Sequence, residues 1–153
     1  MWRLRERGCR IHLVVVCRGD MGSMTLEREG IAAIRRREAE ASAQLLGASF
    51  ACLGEDDLTV VYNARLKTRI VAELRRARAE CVITHAPVDY MMDHEQVSVL
   101  AREACFCATM PNWPAEGERR WRPSRKFTTR TRWRSWTARV SARRPRSSWT
   151  FRR

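Results

Sequence analysis

The chain has 153 residues, about the length of one domain, and a formal net charge of +13 from 30 Lys+Arg against 17 Asp+Glu. The charge is segregated: residues 1–116 hold 16 basic and 16 acidic side chains, and residues 117–153 hold 14 basic side chains and one acidic one, Glu118. A basic surface is therefore excluded for the body, and the longest apolar run, Leu13 to Cys17, excludes a membrane span, which takes about 20 apolar residues. Arg18 and Asp20 follow that run at once with no small-residue cleavage site, so it is not read as a signal peptide.

In chain order, Ile11–Cys17 is a β-branched run that ends in the turn residues Arg18-Gly19-Asp20. The Arg-Gly-Asp tripeptide is read as that turn. Helical spacing follows over residues 26–46, with Ile31, Ile34, Ala41 and Leu45 on one side and Gly47 as the C-cap. Ser49–Leu53 is a second strand. A helix over 64–78 places Leu66, Ile70, Leu74 and Ala77 on one face. Glu80–Thr84 is a third strand, with His85 at its carboxyl end. A last helix over 93–109 turns Val97, Leu100, Ala101 and Ala104 inward. His12 is read as a structural residue within its strand.

The order β-α-β-α-β-α predicts an α/β fold, with a mostly parallel sheet covered by helices on both faces. Ligand sites in such folds lie beyond the carboxyl ends of the strands. That rule selects the loops 18–25, 54–57 and 85–94. The six cysteines follow no metal-ligand spacing and are read as reduced core residues of a cytoplasmic protein. Cys105 and Cys107, two apart on a helix, are expected to face different ways.

The third loop carries His85, Asp89, Asp93 and His94. Imidazole and carboxylate are ordinary zinc ligands, and an Asp beside a ligating His serves as its hydrogen-bond partner. An Asp at a helix start is equally an N-cap, and that reading of Asp93 stays open.

Four segments resemble the PIG-L/LmbE-like deacetylase family: LRERGCRIHLVVVCRGD (Leu4–Asp20), IRRREAEASAQLLG (Ile34–Gly47), LGEDDL (Leu53–Leu58) and VITHAPVDYMMDHEQV (Val82–Val97). The resemblance implies a Rossmann-like three-layer αβα domain at residues 3–112, incomplete at its start. It implies zinc-dependent hydrolysis of N-acetylglucosamine conjugates or related amides. In the family, a His and an Asp of an AHPDDE motif and a later His hold the metal, and the neighbouring Asp of that motif is the general base. The later His maps to His94. The zinc polarises the amide carbonyl and acidifies its bound water, and a carboxylate takes the proton. The resemblance also suggests Arg35 and Asp57 as substrate-binding residues, with a charged helix face (Arg35 pairing Glu38) and an acidic turn as the plain alternatives. Asp93 is the candidate catalytic carboxylate in this chain.

AHPDDE itself is absent from the 153 residues. The expectation is a chain that starts after the first metal loop, retains His94 of three ligands and shows no turnover.

Residues 113–153 are read as a basic tail without its own core, expected to be disordered. The last 37 residues carry 13 Arg and four Trp (Trp121, Trp133, Trp136, Trp149). Arg neutralises phosphate and Trp stacks on bases, so the alternative function is a nucleic-acid-binding arm over Arg119–Arg153, acting non-specifically. The genetic code offers another reading. Joining the last base of each codon to the first two of the next forces His or Tyr at Phe127-Thr128 and Asp at Trp136-Thr137 and Trp149-Thr150. Lys126–Ala138 then allows Ile-His-Tyr-Ala-Asp-Pro-Val-Glu-Val-Val-Asp-Ser. That string resembles the Tyr-Ala-Asp-Pro-Val-Glu segment after the family's catalytic helix, and Ser148–Phe151 allows its last strand. The tail is thus expected to be an out-of-frame translation of the usual C-terminal part.

Overall fold

A computed structural model describes residues 1–115 and the backbone of 128–131. The elements run α1 (Trp2–Glu6), β1 (His12–Cys17), α2 (Arg28–Leu46), β2 (Ser49–Glu55), α3 (Ala64–Ala77), β3 (Cys81–Thr84), α4 (Met92–Ala108) and β4 (Thr128–Thr131). The expected α/β alternation with parallel pairing is present. β1 pairs parallel to β2, with His12 opposite Ser49 and Val15 opposite Cys52. β3 pairs parallel to β4, with Cys81 opposite Thr128. No ladder joins the two pairs among the described residues. Apart from β4, the segment expected to form a nucleic-acid arm or an out-of-frame C-terminus lies outside the described residues.

A bulge near the end of β2 shapes the functional end of the sheet. From Val15 to Cys17 the chain advances two residues, while the partner advances three, from Cys52 to Glu55. The extra residue falls at Gly54, whose φ of 67° is open to glycine without strain. The strand end turns there and delivers Asp56 and Asp57 to the loop.

The core lies where α3 and α4 pack together under the strands. Leu66, Ile70, Val71 and Leu74 of α3 meet Leu100, Ala104 and Ala108 of α4, with Leu53, Val60, Val16 and Val82 packed against them. The small residues of α4 let the helices approach closely. Asn63 caps α3 by accepting the Leu66 N–H at 2.8 Å. The carboxyl end of α4 is closed by Arg75, whose side chain is fully buried. Its guanidinium donates to the carbonyls of Ala108 (3.2 Å), Trp113 (3.3 Å) and Met110 (2.6 Å). The last carbonyl of α4 thereby gains a partner, and the segment that follows the helix is fastened to α3. His12 is structural, as expected: its ring bridges Ser49 Oγ at 2.7 Å and Glu73 at 2.9 Å, tying β1 to α3.

Three expectations need correction. First, α2 buries Ile31, Ala32 and Ala43, whereas Leu45 is 75 % exposed. The stripe is rotated by about one residue step, or about 100°. The side facing the sheet carries alanines and Arg35, so the large apolar residues misreport it. Second, of the six cysteines read as core residues, only Cys105 and Cys107 are buried, on a helix covered on more than one side; Cys17 and Cys52 are half-buried, and Cys9 and Cys81 are exposed. Third, Val14 and Val15 of β1 remain 37 % and 38 % exposed. The β1–β2 pair is therefore not covered on both faces as a fully buried parallel sheet would be.

Gly47 ends α2 in the left-handed region at φ 58°, as expected. No described helix is long and apolar enough to cross a membrane.

Candidate metal and substrate site

Three loops meet beyond the carboxyl ends of β1, β2 and β3, and carboxylates clasp them together. Asp20, buried on the first loop, accepts the Asp57 N–H at 2.8 Å. Asp57 returns the contact: its Oδ1 accepts the Gly19 N–H at 3.1 Å and its Oδ2 the Met21 N–H at 3.2 Å. Arg28 donates through Nε to Asp20 at 2.8 Å. Burial pushes the Asp20 carboxyl up. The Asp57 N–H and the Arg28 guanidinium outweigh that and hold it below the ordinary carboxylate range.

Asp93 joins the second loop to α4. It lies in the first turn of that helix and is buried. Its oxygens accept the Leu58 N–H at 2.6 Å and the Val60 N–H at 3.2 Å. The Leu58 backbone sits at φ 64°, a strained region for a non-glycine residue, and the Asp93 bond holds it there. Asp93 is thus not a helix N-cap; Met91 takes that position without a side-chain cap.

The third loop gathers His85, Asp89 and His94. His94 Nδ1 donates to Asp89 Oδ1 at 3.0 Å. A carboxylate only accepts, so the proton of this bond is on Nδ1, and Nε2 is the ring nitrogen that the bond leaves open. The His85 and His94 rings stack with centroids 4.1 Å apart and planes 4° from parallel, and Tyr90 meets His94 edge-on at 5.6 Å. Burial, then the neighbouring His94, lowers the His85 pKa, with Asp89 opposing. The loop is braced by Glu95, which accepts the Asp89 N–H at 2.8 Å, and by Ser98, which donates to the His85 carbonyl at 3.0 Å. Burial raises the Asp89 pKa, but the His94 ring and the Met91 N–H carry it below its ordinary range.

Ligand atoms of His85, Asp89 and His94 all lie within 4.8 Å of one another. Two imidazoles and one carboxylate are a donor set that zinc accepts. Cys17 lies nearby, but burial, with Asp93 and Asp57 adding to it, pushes its thiol up to about 12. It stays protonated at neutral pH and is a poor metal ligand.

The predicted site residues fall into two clefts. Asp57, Asp93 and His94 line one of about 320 Å³, together with Cys17, Met21, Gly22, Leu58 and Met91. Arg35 lines a neighbouring cleft of about 260 Å³ with Val15, Ala39 and Phe50. Cys17 and Asp57 belong to both clefts. Arg35 packs on Gly19, where a Cβ would come within 2.8 Å of its side chain, and pairs with Glu38 at 2.8 Å. Sequence reasoning missed Asp20. It sits at a strand end, but its partner Asp57 is 37 residues away, and no local pattern links them.

Comparison with known proteins gives these features a context. The family model described as PIG-L, GlcNAc-PI de-N-acetylase, matches residues 1–105. No curated protein matches the chain. An N,N'-diacetylchitobiose deacetylase from Pyrococcus horikoshii, solved with its inhibitor MPG, is 28 % identical with a TM-score of 0.67, covering 73 % of this chain and 44 % of its own. The 4-carboxy-2-hydroxymuconate hydratase of Pseudomonas putida is 25 % identical with a TM-score of 0.70, covering 80 % and 54 %. A conserved protein of Thermus thermophilus is 27 % identical with a TM-score of 0.65, covering 78 % and 52 %. The chain therefore spans about half the length of these structures. Parallel strand pairs, a His-bearing loop opening α4 and a family match over two thirds of the sequence agree that this chain belongs to the PIG-L family.

Proposed function

We propose that the cleft beside His94 is an N-deacetylase-like site for the N-acetyl group of an amino-sugar conjugate or related amide. Zinc is the metal, and the 153-residue chain by itself does not turn over. The observation that carries this reading is the His94–Asp89 pair. Asp89 fixes the ring through Nδ1 and leaves Nε2 as a ligand atom, and His94 lines the cleft. The match to the PIG-L family and the diacetylchitobiose deacetylase support the substrate class.

Zinc, when bound, polarises an amide carbonyl and acidifies a water. The chain's own residues do the rest. Asp57 has lone pairs beyond those bonded to Gly19 and Met21 and accepts a sugar hydroxyl. Arg35, on the far side of the shared wall, meets the more distant part of the conjugate. Asp93 is a positioning residue, because its oxygens already hold Leu58 and Val60. The 153 residues include no AHPDDE sequence to supply further ligands and a base, which is the ground for expecting no turnover. Six free cysteines suit a reducing, cytoplasmic setting.

The test is a titration of the full chain with an N-acetylglucosaminide, followed by amide NMR, with acetate measured in parallel after zinc addition. Shifts centred on the amides of Gly19, Met21, Leu58 and His94, without acetate, are expected. Unmoved cleft amides would refute the substrate assignment, and zinc-dependent acetate release would refute the lack of turnover.

A further inference from the structure

We infer that Met21 and Leu58 form an apolar clamp at the cleft of about 320 Å³, and that the clamp selects conjugates in which an aliphatic chain is joined to the amino sugar. The inference rests on the amino-sugar reading above and goes beyond it by assigning the group attached to the sugar.

Both residues tie their amides to a carboxylate of the site and leave their side chains uncovered. The Met21 N–H donates to Asp57 Oδ2 at 3.2 Å, and the Leu58 N–H to Asp93 Oδ2 at 2.6 Å. Met21 is nevertheless 45 % exposed and Leu58 66 % exposed. Neither belongs to the apolar core. Leu58 also stands at φ 64°, where an L side chain crowds its own backbone. Such conformations persist only where surrounding contacts impose them, and they gather at ligand sites. The fold therefore fixes a leucine in a strained conformation without burying it.

The two side chains come from the loops after β1 and β2, and they line one cleft with Asp57, Asp93 and His94. Half-buried Met91 adds a third apolar side chain to that lining. The cleft thus combines polar and apolar edges and suits a ligand that is polar at one end and apolar at the other. A sugar alone carries hydroxyls round its rim and would leave Met21 and Leu58 in water. Asp57, which takes a sugar hydroxyl in the reading above, is flanked by both: Met21 is bonded to its side chain, and Leu58 follows it in the sequence. The clamp therefore stands beside the sugar, where the attached group begins. Methionine is flexible and polarisable and moulds to a chain. Among the described residues, no Phe, Tyr or Trp lines this cleft, so an aliphatic group fits it better than an aryl one.

The full chain, labelled in its methionine and leucine methyl groups, is titrated by NMR with methyl and with hexyl N-acetyl-β-D-glucosaminide, the latter below its micelle concentration. The hexyl ligand adds five methylenes, and burial of about two of them makes its binding about tenfold tighter. The Met21 and Leu58 methyl signals should move with the hexyl ligand and stay in place with the methyl one. Leu58→Asn removes the hydrocarbon but keeps a residue that tolerates the left-handed backbone, and Met21→Ser removes it from the first loop. Together they should bring the hexyl-to-methyl affinity ratio to within about twofold of one. A purely structural role would weaken both ligands alike and leave the ratio as in the parent. If the double variant loses helix content by circular dichroism, the two parent titrations decide the matter alone. The inference is overturned if the parent binds both ligands equally, if the folded double variant keeps the parent's ratio, or if the hexyl ligand moves other methyl groups and not those of Met21 and Leu58. Equal binding refutes the clamp alone, whereas cleft amides unmoved by either ligand refute the amino-sugar reading and the clamp with it.

Discussion

Removing the Asp93 carboxylate should destabilise the fold before it affects any chemistry. In Asp93→Ala, two backbone N–H groups lose their acceptor: Leu58 at 2.6 Å and Val60 at 3.2 Å. The two losses are unequal. Leu58 is 66 % exposed, so water replaces the carboxylate there and the net cost is about 0.5–1 kcal/mol. Val60 is 5 % exposed, so its N–H is left unsatisfied, at about 1–3 kcal/mol. The left-handed Leu58 backbone loses its restraint as well, and its relaxation returns part of its strain of about 1–2 kcal/mol. The sum is about 1–3 kcal/mol against a total stability of about 5–15 kcal/mol for a domain. Asp93→Asn keeps one accepting oxygen and should lose about half as much. Urea unfolding with linear extrapolation measures both variants. Native-state hydrogen exchange at Val60 gives the local readout, and its protection should fall in Asp93→Ala. A stability within about 0.5 kcal/mol of the parent, with unchanged Val60 exchange, would refute the clasp.

Two further perturbations address the core and the first loop. Arg75→Met keeps the apolar stem but takes the guanidinium donor from the carbonyls of Ala108, Met110 and Trp113, and should cost about 1–3 kcal/mol. Arg75→Lys should recover only part of that in the same urea series, because a point charge cannot reproduce the planar fork. Asp20 makes a pH prediction. Its pKa is depressed in the folded state relative to the ordinary 3.8, so its contribution is complete above that value and is lost as pH falls through the folded value. Thermal midpoints between pH 5 and pH 2 should fall steeply in the parent and less steeply in Asp20→Asn. Parallel acid limbs would count against Asp20 as the linked group.

The elements were legible where apolar residues are large and regularly spaced. Leu66, Ile70 and Leu74 mark the buried face of α3 at helical intervals, and all three are buried. The same reasoning misplaced the face of α2, since Ala32 and Ala43 carry it and alanine gives little hydrophobic contrast. The rule that sites lie beyond strand ends selected three loops that meet in the structure, without any knowledge of their contacts. It also selected the segment in which His85, Asp89 and His94 gather. What the sequence could not show is which carboxylate meets which amide. Asp20 with Asp57, and Asp93 with Leu58 and Val60, lie 33 to 37 residues apart, and those separations close only when the sheet forms.

That pairing separates the acidic residues of the site into two kinds. Asp20, Asp57 and Asp93 each accept backbone N–H groups from another loop, so their negative charge is spent on loop geometry. Asp89 accepts instead from a neighbour on its own loop and from an imidazole. A carboxylate tied to a distant amide cannot swing toward a cation without releasing that amide, at about 1–3 kcal/mol for a buried group. Asp89 is thus the carboxylate least involved in joining the three loops, and it is the one that meets the His94 ring, although Asp93 stands immediately beside His94 in the sequence. Nearness along the chain misleads here because residues 93 and 94 begin a helix, where successive side chains point about 100° apart. Asp93 turns to the second loop, and His94 turns to Asp89 and His85.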